Sequence, residues 1–185
     1  MLYKDFDIVL IGPRVRITPM ISADEEPYAR LMFGSMYDGF AERLGHPPET
    51  GLPKILAHEA SDETHAIRPM NSDAFIGWIA LQRDEEGRPD IGISLVPQYQ
   101  NKGCGPEAIR LYSNYLHQAY GLDTIYLRVH ETNHQSQRAM EKMGAVLDKT
   151  IPDPKEVAIL EKLKDKLSYP PMNVHYYHMD LPIVE

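Results

Sequence analysis

Eight residues, Gln100-Asn101-Lys102-Gly103-Cys104-Gly105-Pro106-Glu107, constrain this chain more than any other stretch. They lie between an apolar strand pattern, Asp90 to Val96, and the most regular helical pattern in the sequence, Pro106 to Tyr120. A helix N-terminus presents unpaired amides and the positive end of the helix dipole. Together these bind phosphate. Glycines let the backbone approach an anion where a Cβ would intrude. Pro106 suits the first helical turn, because its missing N–H would have no partner inside the helix. The segment therefore reads as a pyrophosphate cradle or, taken alone, as a plain glycine-rich connection.

The ligand class narrows by exclusion. A Walker A loop is absent, since no Gly-Lys-Ser or Gly-Lys-Thr follows at its spacing. Gly103-Cys104-Gly105-Pro106-Glu107-Ala108 does match the dinucleotide pattern G-x-G-x-x-A, and Glu131 lies near the end of the next strand. Against that reading, Pro97 to Lys102 separates the glycines from their strand. The turn also falls past the middle of a 185-residue chain, leaving little room for a second half-sheet.

The remaining patterns give a mixed domain. Strands are expected at Val15–Pro19, Thr64–Arg68, Ala74–Leu81, Asp90–Val96, Thr124–Val129, Ala145–Thr150 and Val174–Leu181. Ser22-Ala23-Asp24-Glu25 reads as a capping box, Ser22 pairing with Glu25, before a helix running to about Phe33. Met36–Leu44 and Leu52–Ala60 look helical. The helix Pro106–Tyr120 carries Ala108, Leu111, Tyr112, Tyr115, Leu116 and Ala119 on one face and ends at Gly121. A short helix over Ser136–Met143 closes at Gly144. An additional amphipathic helix, Lys155–Leu167, forms an insertion at about 153–170, with Val157, Leu160, Leu163 and Leu167 on one side. This order implies an α/β or α+β fold with one central sheet, and a single domain over 1–185.

Composition removes several function classes. The formal net charge is −8, and no cluster of Lys and Arg suits phosphate-backbone binding, so no nucleic-acid partner is expected. No apolar run reaches the length of a membrane span. The N-terminus has acids where a signal peptide needs bases. One cysteine, Cys104, builds neither an intrachain disulfide nor a thiolate metal site, which points to a reducing, cytoplasmic location and no metal. His175 and His178 fall on opposite faces of a strand and make a poor metal pair.

Several segments in order resemble a known family. Gln100-x-x-Gly103-x-Gly105 is similar to the Q/R-x-x-G-x-G/A signature of the GNAT superfamily of N-acetyltransferases. Asn133-His134-Gln135-Ser136 and Lys142-Met143-Gly144-Ala145 resemble the N-x-x-S … K-x-G-F block of the branch that acetylates ribosomal-protein N-termini. Gly12 to Pro19 resembles the opening of that branch. Phe75 to Ile79 and Asp90 to Ile93 look like its two central strands. The resemblance implies a mixed sheet with two splayed central strands, acetyl-CoA as cosubstrate, an amine acceptor and, as in many look-alikes, a homodimer. It implies that pantetheine lies in the gap along the backbone of Leu95 and Val96. Gln100, Lys102, Gly103, Cys104, Gly105 and Pro106 would form the pyrophosphate site, and Asn133 would hydrogen-bond the pantetheine arm. Asn133 also reads as a helix N-cap.

The chemistry asks little of side chains. The amine must be neutral to attack, and an α-amino group with a pKa near 8 meets that condition more readily than a lysine near 10.4. An amide of Leu95 or Val96 is expected to hold the oxyanion. Met140 and Arg128 stand where some members of the family carry a Tyr acid and a Glu. Ser136 remains as a candidate proton donor or a helix-start cap. Asp90 remains as a base acting through water or, more simply, an exposed strand-edge carboxylate. A thiol at a helix N-terminus should have a lowered pKa, but Cys104 shows no His–acid partner in sequence. Two other classes stay open: a nicotinamide-dependent oxidoreductase and a catalytically silent acyl-CoA-binding module.

Overall fold

The computed structural model describes residues 7–36, 64–162 and 170–184. The expected helices at 36–44 and 52–60 fall outside those residues except at Met36. The strands are β1 (Leu10–Ile11), β2 (Val15–Pro19), β3 (Thr64–Pro69), β4 (Gly77–Arg83), β5 (Pro89–Leu95), β6 (Thr124–His130), β7 (Val146–Pro152) and β8 (Asn173–Asp180). The helices are α1 (Glu25–Met36), α2 (Cys104–Tyr120), α3 (His134–Lys142) and α4 (Pro154–Lys162).

All eight strands join one sheet in the order β1-β2-β3-β4-β5-β6-β8-β7. Neighbours are antiparallel except β5 and β6, which are parallel. A parallel neighbour needs a crossover, and α2 supplies it. One face of the sheet carries Ile17, Ile67, Ile79, Ile91 and Ile125, all buried under Ala108, Ile109, Tyr112 and Leu116 of α2. On β5, Asp90, Gly92 and Ser94 alternate to the opposite face. There α1 sets Tyr28 edge-on to Trp78, with ring centroids 6.0 Å apart.

Three local details differ from the sequence reading. Ser22 and Glu25 form no capping box. A short 3₁₀ turn, Ser22–Asp24, precedes α1, and Asp24 instead accepts the N–H of Ile21 at 3.0 Å. Asp24 is buried and receives Arg68 at both oxygens, at 3.1 and 2.5 Å. On α2, Ala119 is exposed, whereas Glu107, Ile109 and Ser113 are buried. Periodicity marked the apolar stripe but not the polar residues beside it. The inserted helix covers Pro154–Lys162, with Val157 and Leu160 half-buried; Leu163 and Leu167 lie outside the described residues. Its first turn is capped by Asp153, whose Oδ1 accepts the N–H of Lys155 at 2.8 Å. Buried Glu156 accepts the N–H of Met172, which anchors the helix to the approach of β8.

The Asp24–Arg68 pair ties the start of α1 to β3, and its side chains are only 3% and 5% exposed. Removing one partner leaves an uncompensated buried charge. Arg68→Met is expected to destabilise the protein by about 3–5 kcal/mol, read from the midpoint and slope of urea unfolding.

Candidate active site

β5 and β6 share a single registered pair, Asp90 with Tyr126, and then diverge toward their C-terminal ends. A cavity of about 580 Å³ opens in the gap. Leu95 and Gln100 border it on the β5 side, Gly103, Gly105 and Pro106 at the start of α2, and Asn133, Ser136 and Met140 on the α3 side. Two helices therefore begin at this gap, which concentrates unpaired N–H groups there.

The glycines of the α2 turn serve different purposes. Gly103 is the N-cap, at φ 80°, a left-handed conformation that side chains disfavour. Gly105 has no such constraint. A Cβ there would meet only Leu95 Cδ1, at 3.6 Å, so the protein itself leaves room for a side chain facing the cavity. Pro106 has no N–H to offer, so the helix-start donors past the N-cap are those of Cys104 and Gly105.

The backbone of β5 separates the two amides proposed for the oxyanion. Val96 donates its N–H to the carbonyl of Ile76 at 2.9 Å, one step beyond the last β4–β5 pair, Gly77 with Leu95. Antiparallel alternation then turns the N–H and C=O of Leu95 away from β4, toward the gap. Gln100 Nε2 reaches the Leu95 carbonyl at 2.8 Å and fixes the turn against the strand end. Val96 is thus committed to the sheet, and Leu95 is the amide that faces the cavity. Neither Val96, Lys102 nor Cys104 lines it. Lys102 lies 5.7 Å from the ring centre of Tyr99. Cys104 is buried, and burial, followed by the charge of Glu107, pushes its thiol above the usual value, opposite to the lowering that a helix N-terminus alone would give.

Asn133 caps α3, its Oδ1 accepting the N–H of Ser136 at 3.1 Å. Ser136 is therefore the capped residue rather than the cap, and its half-buried side chain borders the cavity. Met140 puts a thioether at the position of the missing acid. Asp90 is not the exposed strand-edge carboxylate expected. It is 2% exposed, accepts Arg128 Nε at 3.0 Å and Nη2 at 2.5 Å, and does not line the cavity. Burial pushes its carboxyl above the usual Asp range, and the Arg128 guanidinium only partly opposes this. Glu131 binds the backbone and side chain of Asn173, at 3.0 and 2.9 Å. The sequence reading missed Arg138 and Lys142, which also border the cavity. Their i, i+4 spacing, on the helix that Asn133 caps, was the available signal.

The acetyltransferase (GNAT) domain family matches residues 14–146. The chain belongs to the GNAT acetyltransferase family. It is accordingly an acyltransferase that uses acetyl-CoA as cosubstrate. The fold is shared with the GNAT-family acetyltransferase from Bacillus anthracis, at 18% identity and TM-score 0.69, covering 94% of this chain and 98% of that one. It is shared with an acetyltransferase from Agrobacterium tumefaciens, at 20% identity and TM-score 0.66, covering 97% and 98%. It is also shared with ribosomal-protein-S5-alanine acetyltransferase from Vibrio fischeri, at 14% identity and TM-score 0.62, covering 94% and 97%. No curated protein sequence matches at a significant level. The nicotinamide alternative fails on topology as well as on family, because β5 pairs antiparallel with β4 where a dinucleotide-binding half needs parallel strands.

The residues fit the cosubstrate: an open gap for its extended arm, unpaired amides at the α2 start for its diphosphate, and a glycine whose absent Cβ keeps that approach clear. Gly105→Val should leave the melting temperature near that of the wild type. It should weaken acetyl-CoA binding by about 1–3 kcal/mol, the scale of a charge-assisted hydrogen bond or two. Calorimetric titration of the folded variant checks this.

A buried carboxylate holds the turn in place. Glu107, in the first turn of α2, accepts the N–H groups of Arg14 at 2.7 Å and Val15 at 2.9 Å, and Arg14 Nη1 at 3.0 Å. Burial raises its carboxyl, but these donors outweigh burial and hold it below the usual Glu range. A depressed pKa stabilises the fold above the unfolded Glu value of about 4.3 and loses that contribution as pH falls through the folded value. Unfolding free energy measured below about pH 4.3 should therefore fall more steeply with pH in the wild type than in Glu107→Gln.

Proposed function

We propose that this acetyltransferase acetylates a primary amine, preferring an α-amino group to a lysine side chain, by direct attack in a ternary complex. The observation that carries this reading is the cavity between β5 and β6, with the Leu95 N–H turned toward it and apolar Met140 on its opposite wall. A fixed amide stabilises charge developing on the thioester oxygen, and does so without reorganising. Met140 donates no proton, so the departing thiolate must be protonated by Ser136 or by solvent. Asp90 is engaged by Arg128 and set apart from the cavity, so we assign it no proton transfer.

Among the described residues that line the gap there is no carboxylate or histidine to serve as a base, so in this reading the acceptor supplies its own neutral form. That requirement favours an α-amine, whose pKa lies near 8, over a lysine near 10.4. A protein N-terminus is the leading acceptor. It is supported by the Asn133–Ser136 and Lys142–Ala145 segments, and by a fold shared with an enzyme named for acetylating a ribosomal protein. Small amines such as polyamines, amino acids and aminoglycosides form the rest of the test panel.

The test is release of free thiol from acetyl-CoA against peptides with a free N-terminus, N-terminally blocked lysine peptides and the small amines. Turnover is expected with the free N-terminus, with kcat rising toward about pH 8. Turnover of the lysine peptides alone would overturn the preference. General acid–base help is worth about 10²–10⁴-fold, and a donor that solvent can replace should fall near the bottom of that range. Ser136→Ala is expected to lower kcat by less than about a hundredfold.

A further inference from the structure

The gap between β5 and β6 has an apex at their one registered pair, and charged side chains reinforce it just beyond. Arg128 lies on β6 two residues past Tyr126, the one residue paired with β5. It reaches back to Asp90 with Nε and Nη2, and its Nη1 donates to Glu85 Oε1 at 2.8 Å. Glu85 belongs to the turn joining β4 and β5. Its other oxygen accepts the hydroxyl of Tyr176, on β8, at 2.9 Å. The same turn sends Glu86 to Lys149 of β7, and sets Arg88 over the ring of Tyr126, 4.1 Å from its centre. The β4–β5 turn thus makes contact with β6, β8 and β7 in succession.

This arrangement is costly for folding alone. Asp90 and Tyr176 are 2% and 1% exposed, and Oδ1 of Asp90 is buried without a hydrogen bond. Apolar residues of similar volume commonly serve stability as well as a buried ion pair or better. What they lack is direction. A guanidinium offers donors in a fixed planar fork and holds its two acceptors at set distances. Here both acceptors move with β5 and its turn, while the fork moves with β6. Arg128 does not border the cavity, so its effect on the reaction must pass through the strands.

We infer that Arg128, gripping Asp90 and Glu85, is a positioning residue that fixes the separation of β5 and β6 and thereby the fit of the acetyl-CoA arm in the gap. The inference rests on the acetyltransferase reading. It assigns a purpose to the arginine standing where some members of the family carry a glutamate.

The test uses the full chain and two probes, coenzyme A and acetyl-CoA. Binding is measured by calorimetry, turnover at saturating acceptor, and folding by thermal melting. A misplacement of about 1 Å can cost on the order of a hundredfold. Arg128→Gln should accordingly lower kcat/KM for acetyl-CoA by about tenfold to a hundredfold, with weakened binding of both probes. Arg128→Lys, which still reaches Asp90 but lacks the fork, should recover part of the loss. A merely structural role would lower the melting temperature and leave the affinity of the folded protein unchanged. Arg128→Gln with wild-type binding and kcat/KM overturns the inference.

If Arg128→Gln does not fold, the double variant Asp90→Asn with Arg128→Gln removes the stranded charge. It should fold and still bind weakly, and wild-type affinity in it overturns the inference equally. Failure of the wild type itself to bind either probe would overturn the acetyltransferase reading, and this inference with it.

Discussion

The site depends on a parallel pairing that stops after one residue pair. Backbone N–H and C=O groups that leave a ladder must find other partners or pay for desolvation. Where β5 and β6 part, the strand edges and two helix N-termini face a common space, and an amide-rich, phosphate-bearing ligand would satisfy both kinds of group. The Leu95 and Val96 amides show how fine the division is. They are consecutive on one strand, yet alternation commits Val96 to Ile76 and turns Leu95 to the gap.

Three buried carboxylates hold the frame around this opening, each gripping an arginine. Asp24 and Arg68 join the start of α1 to β3. Glu107 and Arg14 join the glycine turn to β2, with two backbone amides in addition. Asp90 and Arg128 close the apex of the splay. All three sit where two elements meet without a shared ladder or where the ladder ends. An apolar contact would hold such elements together but allow them to slide. A hydrogen-bonded ion pair fixes their register.

The same economy of side chains reaches the chemistry. Met140 and Ser136 border the cavity, and neither is a strong acid or base. In the proposed mechanism the groups that act on the reacting atoms belong to the backbone, whose placement follows from the fold. An enzyme built this way tolerates variation in its side chains as long as strand spacing and helix starts are kept. That tolerance accords with a shared fold at 14–20% identity to the solved acetyltransferases.

Much of this was legible before any coordinates. The strand and helix order, the Gly103–Gly105 turn opening a helix, the Gly121 ending, now seen at φ 68°, and the Asn133 cap all rest on local rules. Period, turn chemistry and capping act over a few residues, so a few residues suffice to read them. The capping box at Ser22 misled because the turn starts one residue earlier, where Asp24, held by Arg68 44 positions along, accepts the N–H of Ile21. Asp90 misled for the same reason. Its neighbours in sequence say only that it is a polar residue in a strand; its partner, Arg128, lies 38 residues away on the other side of the crossover. Sequence by itself determined the family, the order of the main described elements and the glycine turn that opens α2, because each is set by contiguous residues. Only the tertiary structure decided which Asp is buried, which of two adjacent amides faces the cavity, and which arginine braces the gap. Those depend on elements brought together by the sheet, and no local pattern encodes a distance across it.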